Sequence, residues 1–182
     1  HTGADDRDLR RLVETSRSSC PFCLETREAA AAPFPPDRFP EARPRRGQSL
    51  LVPNKDPFGE NHAVGILTDA HYLPMDDFTE EILADSLELS QSFFRAVHRN
   101  EPSARFPILV WNYLPPSAGS IVHPHIQILL ESLPAPAIET LAGRCAKWKR
   151  RTGEAYWSRL VREESLLGER TIHVDRELAV LA

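Results

Sequence analysis

Ser120-Ile-Val-His123-Pro-His125-Ile-Gln127-Ile-Leu-Leu-Glu131 is the segment on which the fold turns. In a strand, alternate side chains share a face. His123, His125 and Gln127 therefore form one polar row, while Pro124, Ile126, Ile128 and Leu130 form the opposite row and are core candidates. A plain half-buried strand has no need of two imidazoles and an amide on one face. Pro124 cannot donate to a ladder, so this part of the strand is expected at a sheet edge or a bulge, with the polar row open to a ligand.

Such a row suits nucleophilic attack on phosphorus. A neutral imidazole whose one nitrogen donates to a fixed acceptor presents a lone pair on the other, and it can form a phosphoramidate. A neighbouring amide can donate to a phosphate oxygen as charge builds in the transition state. The preceding loop, Ser117-Ala-Gly-Ser120, is expected to add backbone N–H groups and two hydroxyls.

Outward from this segment, residues 106–113 read as a neighbouring strand, and 48–52 and 63–67 as two more. A helix is expected from about 79 to 98, capped by Asp76 or Asp77, with Glu80 and Glu81 in its first turn. Its inner stripe reads as Leu83, Leu87, Phe94 and Val97, widened by Ile82 and Phe93. A short charged helix at 8–17 precedes Cys20. Residues 29–47 carry Pro33, Pro35, Pro36, Pro40 and Pro44 and read as loop, with Arg43, Arg45 and Arg46 solvated. Helices near 135–151 and 154–166 and a hairpin over 171–182 close the chain. Strands in the middle followed by helices predict an α+β fold, an antiparallel sheet with helices packed on one face.

Cys20-Pro-Phe-Cys23 supplies two thiolates at knuckle spacing, and a tetrahedral zinc needs two further ligands. Histidine is the natural supplier, and the residues alone leave His62, His71, His98 and His123 open. Phe22, inside the knuckle, reads either as a wall of a base site or as filler.

The composition excludes several classes. The chain has 182 residues, enough for one full domain and part of another. Lys plus Arg is 22 against 26 for Asp plus Glu, a net charge of −4, which disfavours nucleic acid as a partner. No apolar run approaches the ~20 residues that span a bilayer, so no membrane segment is expected. Three cysteines exclude a dense disulfide framework and fit a reducing, cytoplasmic setting. The chain opens on His1, its single methionine is Met75, and it closes on the apolar run 177–182, so the native protein is expected to continue.

His123-Pro-His125-Ile-Gln127 resembles the His-Pro-His-x-Gln signature of the galactose-1-phosphate uridylyltransferases, a branch of the histidine triad superfamily that also holds dinucleoside-polyphosphate and ADP-sugar phosphorylases. Further segments resemble that family in order. They are Cys20-Pro-Phe-Cys23, Val52-Pro-Asn54-Lys-Asp-Pro-Phe58, the strand from Asn61 to His71, Asn112 eleven positions before His123, and Ser120 three before it. Two departures stand out: Leu114-Pro115-Pro116 follows Asn112 nearly where the family places glycines, and Ile126 stands where the uridylyltransferases keep Gly.

The resemblance implies that His125 is the nucleophile and that Gln127 holds the α-phosphate oxygens, helped by Ser120 and Asn112. It places Asn54 near the ribose or phosphate. It selects Cys20, Cys23, His71 and His123 as ligands of a structural zinc. It implies half-barrel-like sheets from two repeats, with 1–150 as the first repeat and 151–182 as the start of the second. The expected activity is a nucleotidyltransferase moving a nucleoside monophosphate from a nucleotide sugar to a sugar phosphate through a nucleotidyl-histidine, in a chain that can form a homodimer. The alternatives are a phosphorylase using inorganic phosphate and a non-catalytic zinc-stabilised nucleotide-binding module. A histidine triad hydrolase is disfavoured, because those enzymes use histidine where Gln127 stands.

Overall fold

The computed structural model describes residues 6–39 and 41–182; Pro40 of the proline-rich loop and residues 1–5 lie outside them. The chain divides into two compact units, His1–Leu133 and Pro134–Ala182.

The first unit is built on a five-stranded antiparallel sheet of order β1-β2-β3-β5-β4. The strands are β1 (Arg45–Arg46), β2 (Ser49–Pro53), β3 (His62–Ile66), β4 (Phe106–Val110) and β5 (His125–Glu131). Helix α1 (Asp6–Arg17) and the short α2 (Arg27–Ala30) precede the sheet, and α3 (Glu80–Asn100) connects β3 to β4. Both faces of the middle strands are covered. Leu51, Ala63, Ile126, Ile128 and Leu130 pack with Phe93, Ala96 and Val97 of α3. Leu50, Val52, Val64 and Ile66 pack on the other side with Cys20, Phe22, Cys23 and Ala31. Gly65 lets the centre pack closely, since a Cβ there would lie 3.0 Å from Ile126 Cγ1 and press on that side chain.

The α+β reading holds, and three of its details change. First, β5 is an interior strand between β3 and β4, not an edge. Pro124 is tolerated because it sits one residue ahead of the ladder, where its carbonyl accepts from the Leu67 N–H at 3.0 Å. Second, α3 is capped by Thr79, whose hydroxyl accepts from the Ile82 N–H at 3.3 Å. Asp76 and Asp77 belong to a separate 3₁₀ turn, Met75–Asp77. Third, Leu87 of the expected stripe is 49% exposed. Ser86 and Ser90 take its place on the inner face. Their hydroxyls donate to the carbonyls of Ile82 and Ser86, which satisfies them inside the core and hides them from a hydrophobicity reading. Ser49 and Ser86 meet at 2.9 Å and register the helix on β2.

The second unit comprises α4 (Pro136–Thr152), α5 (Tyr156–Leu167) and the hairpin β6 (Thr171–Val174) and β7 (Ala179–Leu181). Pro136 opens α4, and Gly153 and Gly168 end the two helices at positive φ, the usual start and stop chemistry. Trp148 and Tyr156 pack edge to face at 5.8 Å between the helices. No helix among the described residues is long and apolar enough to cross a membrane.

The cap assignment is testable by urea denaturation. Thr79→Ala should lower stability by about 1 kcal/mol, the usual value of an N-cap hydroxyl, whereas Asp77→Ala should stay within about 0.5 kcal/mol of the parent.

Candidate active site and metal centre

The knuckle forms a closed turn after α1. The Cys20 N–H donates to the Arg17 carbonyl at 3.2 Å. The Cys23 carbonyl accepts from the N–H groups of Thr26 and Arg27 at 3.1 and 2.9 Å. The Thr26 hydroxyl closes it further on the Cys20 carbonyl. His71 arrives from the loop after β3, and His123 from the two residues ahead of β5. The ligand atoms of Cys20, Cys23, His71 and His123 all lie within 4.8 Å of one another, and all four residues are buried. Cys23 Sγ is 3.2 Å from His71 Nδ1 and 3.7 Å from His123 Nδ1.

The outer nitrogens decide the tautomers. His123 Nε2–H donates to the Thr68 carbonyl at 2.8 Å, and His71 Nε2–H to the Val13 carbonyl at 3.1 Å. Both Nδ1 lone pairs are thereby left facing the cysteines, an arrangement typical of metal-bound histidines. Burial pushes the Cys23 thiol up to about 11, with Cys20 beside it adding to the effect. Burial also lowers His123 to about 4 and holds His71 below its ordinary value. Two thiolates in such a place are unfavourable until a cation joins them. A tetrahedral ion with bonds of ~2.0–2.3 Å spaces its donors by roughly 3.3–3.8 Å, so only small shifts separate the group from a ligand cage. The four residues thus fit an ion that prefers nitrogen and sulfur, and four protein ligands leave it no open position. His62 and His98 stand apart from the group: His98 Nδ1 is 2.8 Å from the Ala104 carbonyl at the end of α3.

His125 is the first residue of β5. Its Nδ1–H donates to the His123 carbonyl at 2.8 Å, which leaves the lone pair on Nε2. Its pKa is lowered by burial, with the bond to His123 opposing, which favours the neutral ring. Phe22 packs 5.3 Å from the ring centroid. With only 8% of its surface exposed, Phe22 braces His125 and fills space. Arg27, itself buried, pairs with Asp69 at 2.6 Å and ties α2 to the loop that carries His71.

The β3–β5 register sets Val64 opposite Gln127 and Ile66 opposite His125, so Gln127, His125 and His62 share a face. Gln127 Oε1 lies 3.1 Å from Asn54 Nδ2 and 2.7 Å from His62 Nε2. A cavity of about 280 Å³ beside Asn54 and His62 opens toward Phe34, Phe93 and Val97 on the α3 side of the sheet, and neither His125 nor Gln127 lines it. Asn54 and Gln127 are therefore brought together as expected. His62 is the residue the sequence reading missed in this role. Alternation in His62-Ala-Val64-Gly-Ile66 puts it on one face of β3, but only the long-range pairing with β5 aims that face at Gln127.

Asn112 and Ser120 flank the 3₁₀ turn Pro115–Ser117. Asn112 is half-buried and Ser120 exposed. Among the described residues, no hydrogen bond joins either side chain to His125, Gln127 or Asn54. The loop also differs from expectation in its donors. The N–H groups of Ser117 and Gly119 donate to the Leu114 carbonyl, that of Ala118 to Pro115, and the Ser117 hydroxyl to Tyr113 at 2.6 Å. The turn thus consumes three of the four N–H groups it was expected to offer and one of the two hydroxyls, which leaves the N–H and hydroxyl of Ser120. Leu114 and Ala118 both sit at φ 64, a conformation that favours glycine.

No family model matches the chain. A protein of Archaeoglobus fulgidus, described only as uncharacterized, is 31% identical over 166 residues, which cover 91% of this chain and 48% of that protein. The chain thus spans about half the length of the curated relative it matches. Among solved structures, a GalT-like protein from Arabidopsis thaliana aligns with TM-score 0.65 at 15% identity, over 88% of this chain and 55% of that one. An ADP-glucose phosphorylase from Arabidopsis thaliana with bound ADP-glucose gives 0.63 at 16%, over 88% and 54%. A uridylyltransferase gives 0.65 at 19%, over 86% and 52%. The chain therefore has the fold of these GalT-like and uridylyltransferase structures.

Proposed function

We propose that the chain is the nucleotide-handling part of a nucleotidyltransferase that works through a covalent nucleotidyl-His125. The observation that carries this is the 2.8 Å bond from His125 Nδ1–H to the His123 carbonyl, which reserves the Nε2 lone pair of a neutral ring for attack. Nε2 attacks the α-phosphorus of a nucleotide sugar. The bond from that phosphorus to the bridging oxygen breaks, and the sugar 1-phosphate leaves with the electron pair. The positive charge gained by the ring is eased through the Nδ1–H and the His123 carbonyl. A phosphate oxygen of the acceptor then attacks the same phosphorus, the P–N bond breaks, and His125 returns to its neutral form.

Gln127 grips the non-bridging oxygens with its amide N–H while charge builds on them. Being neutral, it cannot protonate a leaving group, and this favours an intermediate that waits for a phosphorylated acceptor over immediate hydrolysis. Asn54 supports the nucleotide together with Gln127, and Asn112 and Ser120 serve the phosphate from the loop. Zinc is the ion for Cys20, Cys23, His71 and His123. Its contribution is structural: it joins the knuckle, the loop after β3 and the start of β5.

UDP-hexose as donor and a hexose 1-phosphate as acceptor form the leading pair. A phosphorylase using inorganic phosphate is the second reading, favoured by the likeness to a fold that binds ADP-glucose. Residues 151–182 are read as the start of a second repeat, and a homodimer and a cytoplasmic setting accompany the reading.

Incubation with α-³²P-labelled UDP-glucose and ADP-glucose should leave acid-labile label on the protein, and His125→Gly should abolish it. A folded, metal-loaded chain that takes label from neither donor would refute the transferase and leave a binding module. Release of label by glucose 1-phosphate or galactose 1-phosphate marks the sugar transferase, and release by inorganic phosphate alone the phosphorylase. Elemental analysis should find one zinc per chain, and His71→Ala should lower it severalfold. Unchanged zinc in that variant would contradict the ligand set.

A further inference from the structure

We propose that His62 is a positioning residue that fixes which way the Gln127 amide points, and so determines that Gln127 offers N–H groups and not an oxygen to the phosphate. The inference rests on the proposed role of Gln127 and adds a residue to it.

Two backbone amides, which can only donate, set the polarity of the group. The Asp56 N–H donates to Asn54 Oδ1 at 2.9 Å. That bond orients the Asn54 amide and leaves its NH₂ turned toward the sheet. The Phe58 N–H donates to His62 Nδ1 at 3.3 Å, so Nδ1 is an acceptor and the ring proton is on Nε2. Desolvation lowers the His62 pKa, which keeps a second proton off the ring. The ring is held further by Phe58, whose centroid is 4.2 Å away, edge to face.

Two donors then converge on one place. His62 Nε2–H lies 2.7 Å from Gln127 Oε1, and Asn54 Nδ2 lies 3.1 Å from the same atom. Asn54 Nδ2 also lies 3.0 Å from His62 Nε2, so the two nitrogens approach Oε1 from the same side. His62, with the shorter contact, makes the principal bond to that oxygen, and Asn54 supports it. Rotating the Gln127 amide by a half-turn would set its NH₂ against two N–H donors and lose both bonds. The amide is therefore locked with Oε1 inward. Its NH₂, which has no hydrogen-bond partner among the described residues, is turned away from His62. Without this lock, the Gln127 amide would sample both orientations before an anionic oxygen arrives, and turning NH₂ toward that oxygen would cost free energy. Asn54 alone is a weaker lock, since its contact is longer and it reaches from a loop.

The test is a double-mutant cycle read as the rate of protein labelling by the α-labelled nucleotide sugar. His62→Phe keeps a ring against Phe58 and removes the donor. It should slow labelling by about 10- to 100-fold, short of the ~10²–10³-fold typical when a transition-state donor is lost outright. Donor binding to unreactive His125→Gly protein should change less than about 3-fold on adding His62→Phe, because the orienting effect is spent on charge that builds in the transition state. In a Gln127→Ala background, His62→Phe should cost nothing further. Equal losses in both backgrounds, or an unchanged rate in the single variant, would overturn the proposal. Should the parent protein never label, the transferase reading fails first. The side-chain NH₂ resonances of Gln127 then decide the orientation in the resting protein: a single ordered pair that shifts in His62→Phe supports the lock, and resonances unmoved by the substitution refute it.

Discussion

His123 is where the structure is held. Its ring is fully buried, with Nε2 fixed by the Thr68 carbonyl and Nδ1 turned to the cysteines. Its carbonyl, in the same residue, accepts the Nδ1–H of His125. One residue thus joins the metal-ligand cluster to the proposed nucleophile. The direction of the His125 ring depends on the same residue whose ring faces Cys23.

The same face shows a division of labour between backbone and side chains. Backbone groups set each proton: His123 carbonyl for His125, Thr68 carbonyl for His123, Phe58 N–H for His62, Asp56 N–H for Asn54. All four groups belong to the segments that flank β3 and β5, so side-chain polarity at the proposed site is set by the chain just outside the sheet. The loop of Pro115 to Gly119 works differently. Its donors close its own turn, at positive φ for Leu114 and Ala118. A loop that spends its amides internally leaves more of the grip on phosphate to Gln127, which raises the importance of that amide's orientation.

Much of this was legible in the residues. Alternation across His123 to Leu130 sets His125 and Gln127 on one face and Ile126, Ile128 and Leu130 on the other, as the structure has them. The row is not open along its length: His125 is 6% exposed and packs on Phe22, on a face that carries its own core of Val64 and Ile66. Cys20 and Cys23 have the spacing of a metal knuckle, but no local pattern separates His71 and His123 from His62 and His98; only the family resemblance does. What stayed hidden depends on contacts between distant segments or on satisfied polar groups. His62 meets Gln127 only through the β3–β5 register, 65 positions apart in sequence. Ser86 and Ser90 lie in the core because their hydroxyls bond their own helix. Pro124 argued for an edge, yet a one-residue offset from the ladder lets it precede an interior strand. Thr79 displaced two aspartates as the helix cap because a 3₁₀ turn had already used them.

The central claim is that the His125 ring is neutral, protonated on Nδ1 and bare on Nε2 before any substrate arrives. Long-range ¹⁵N–¹H correlation spectra of the metal-loaded protein at neutral pH, with His125 assigned by substitution, measure this directly. The account predicts a protonated Nδ1 and an Nε2 shift characteristic of an unprotonated nitrogen. A proton on Nε2, or on both nitrogens, would contradict it.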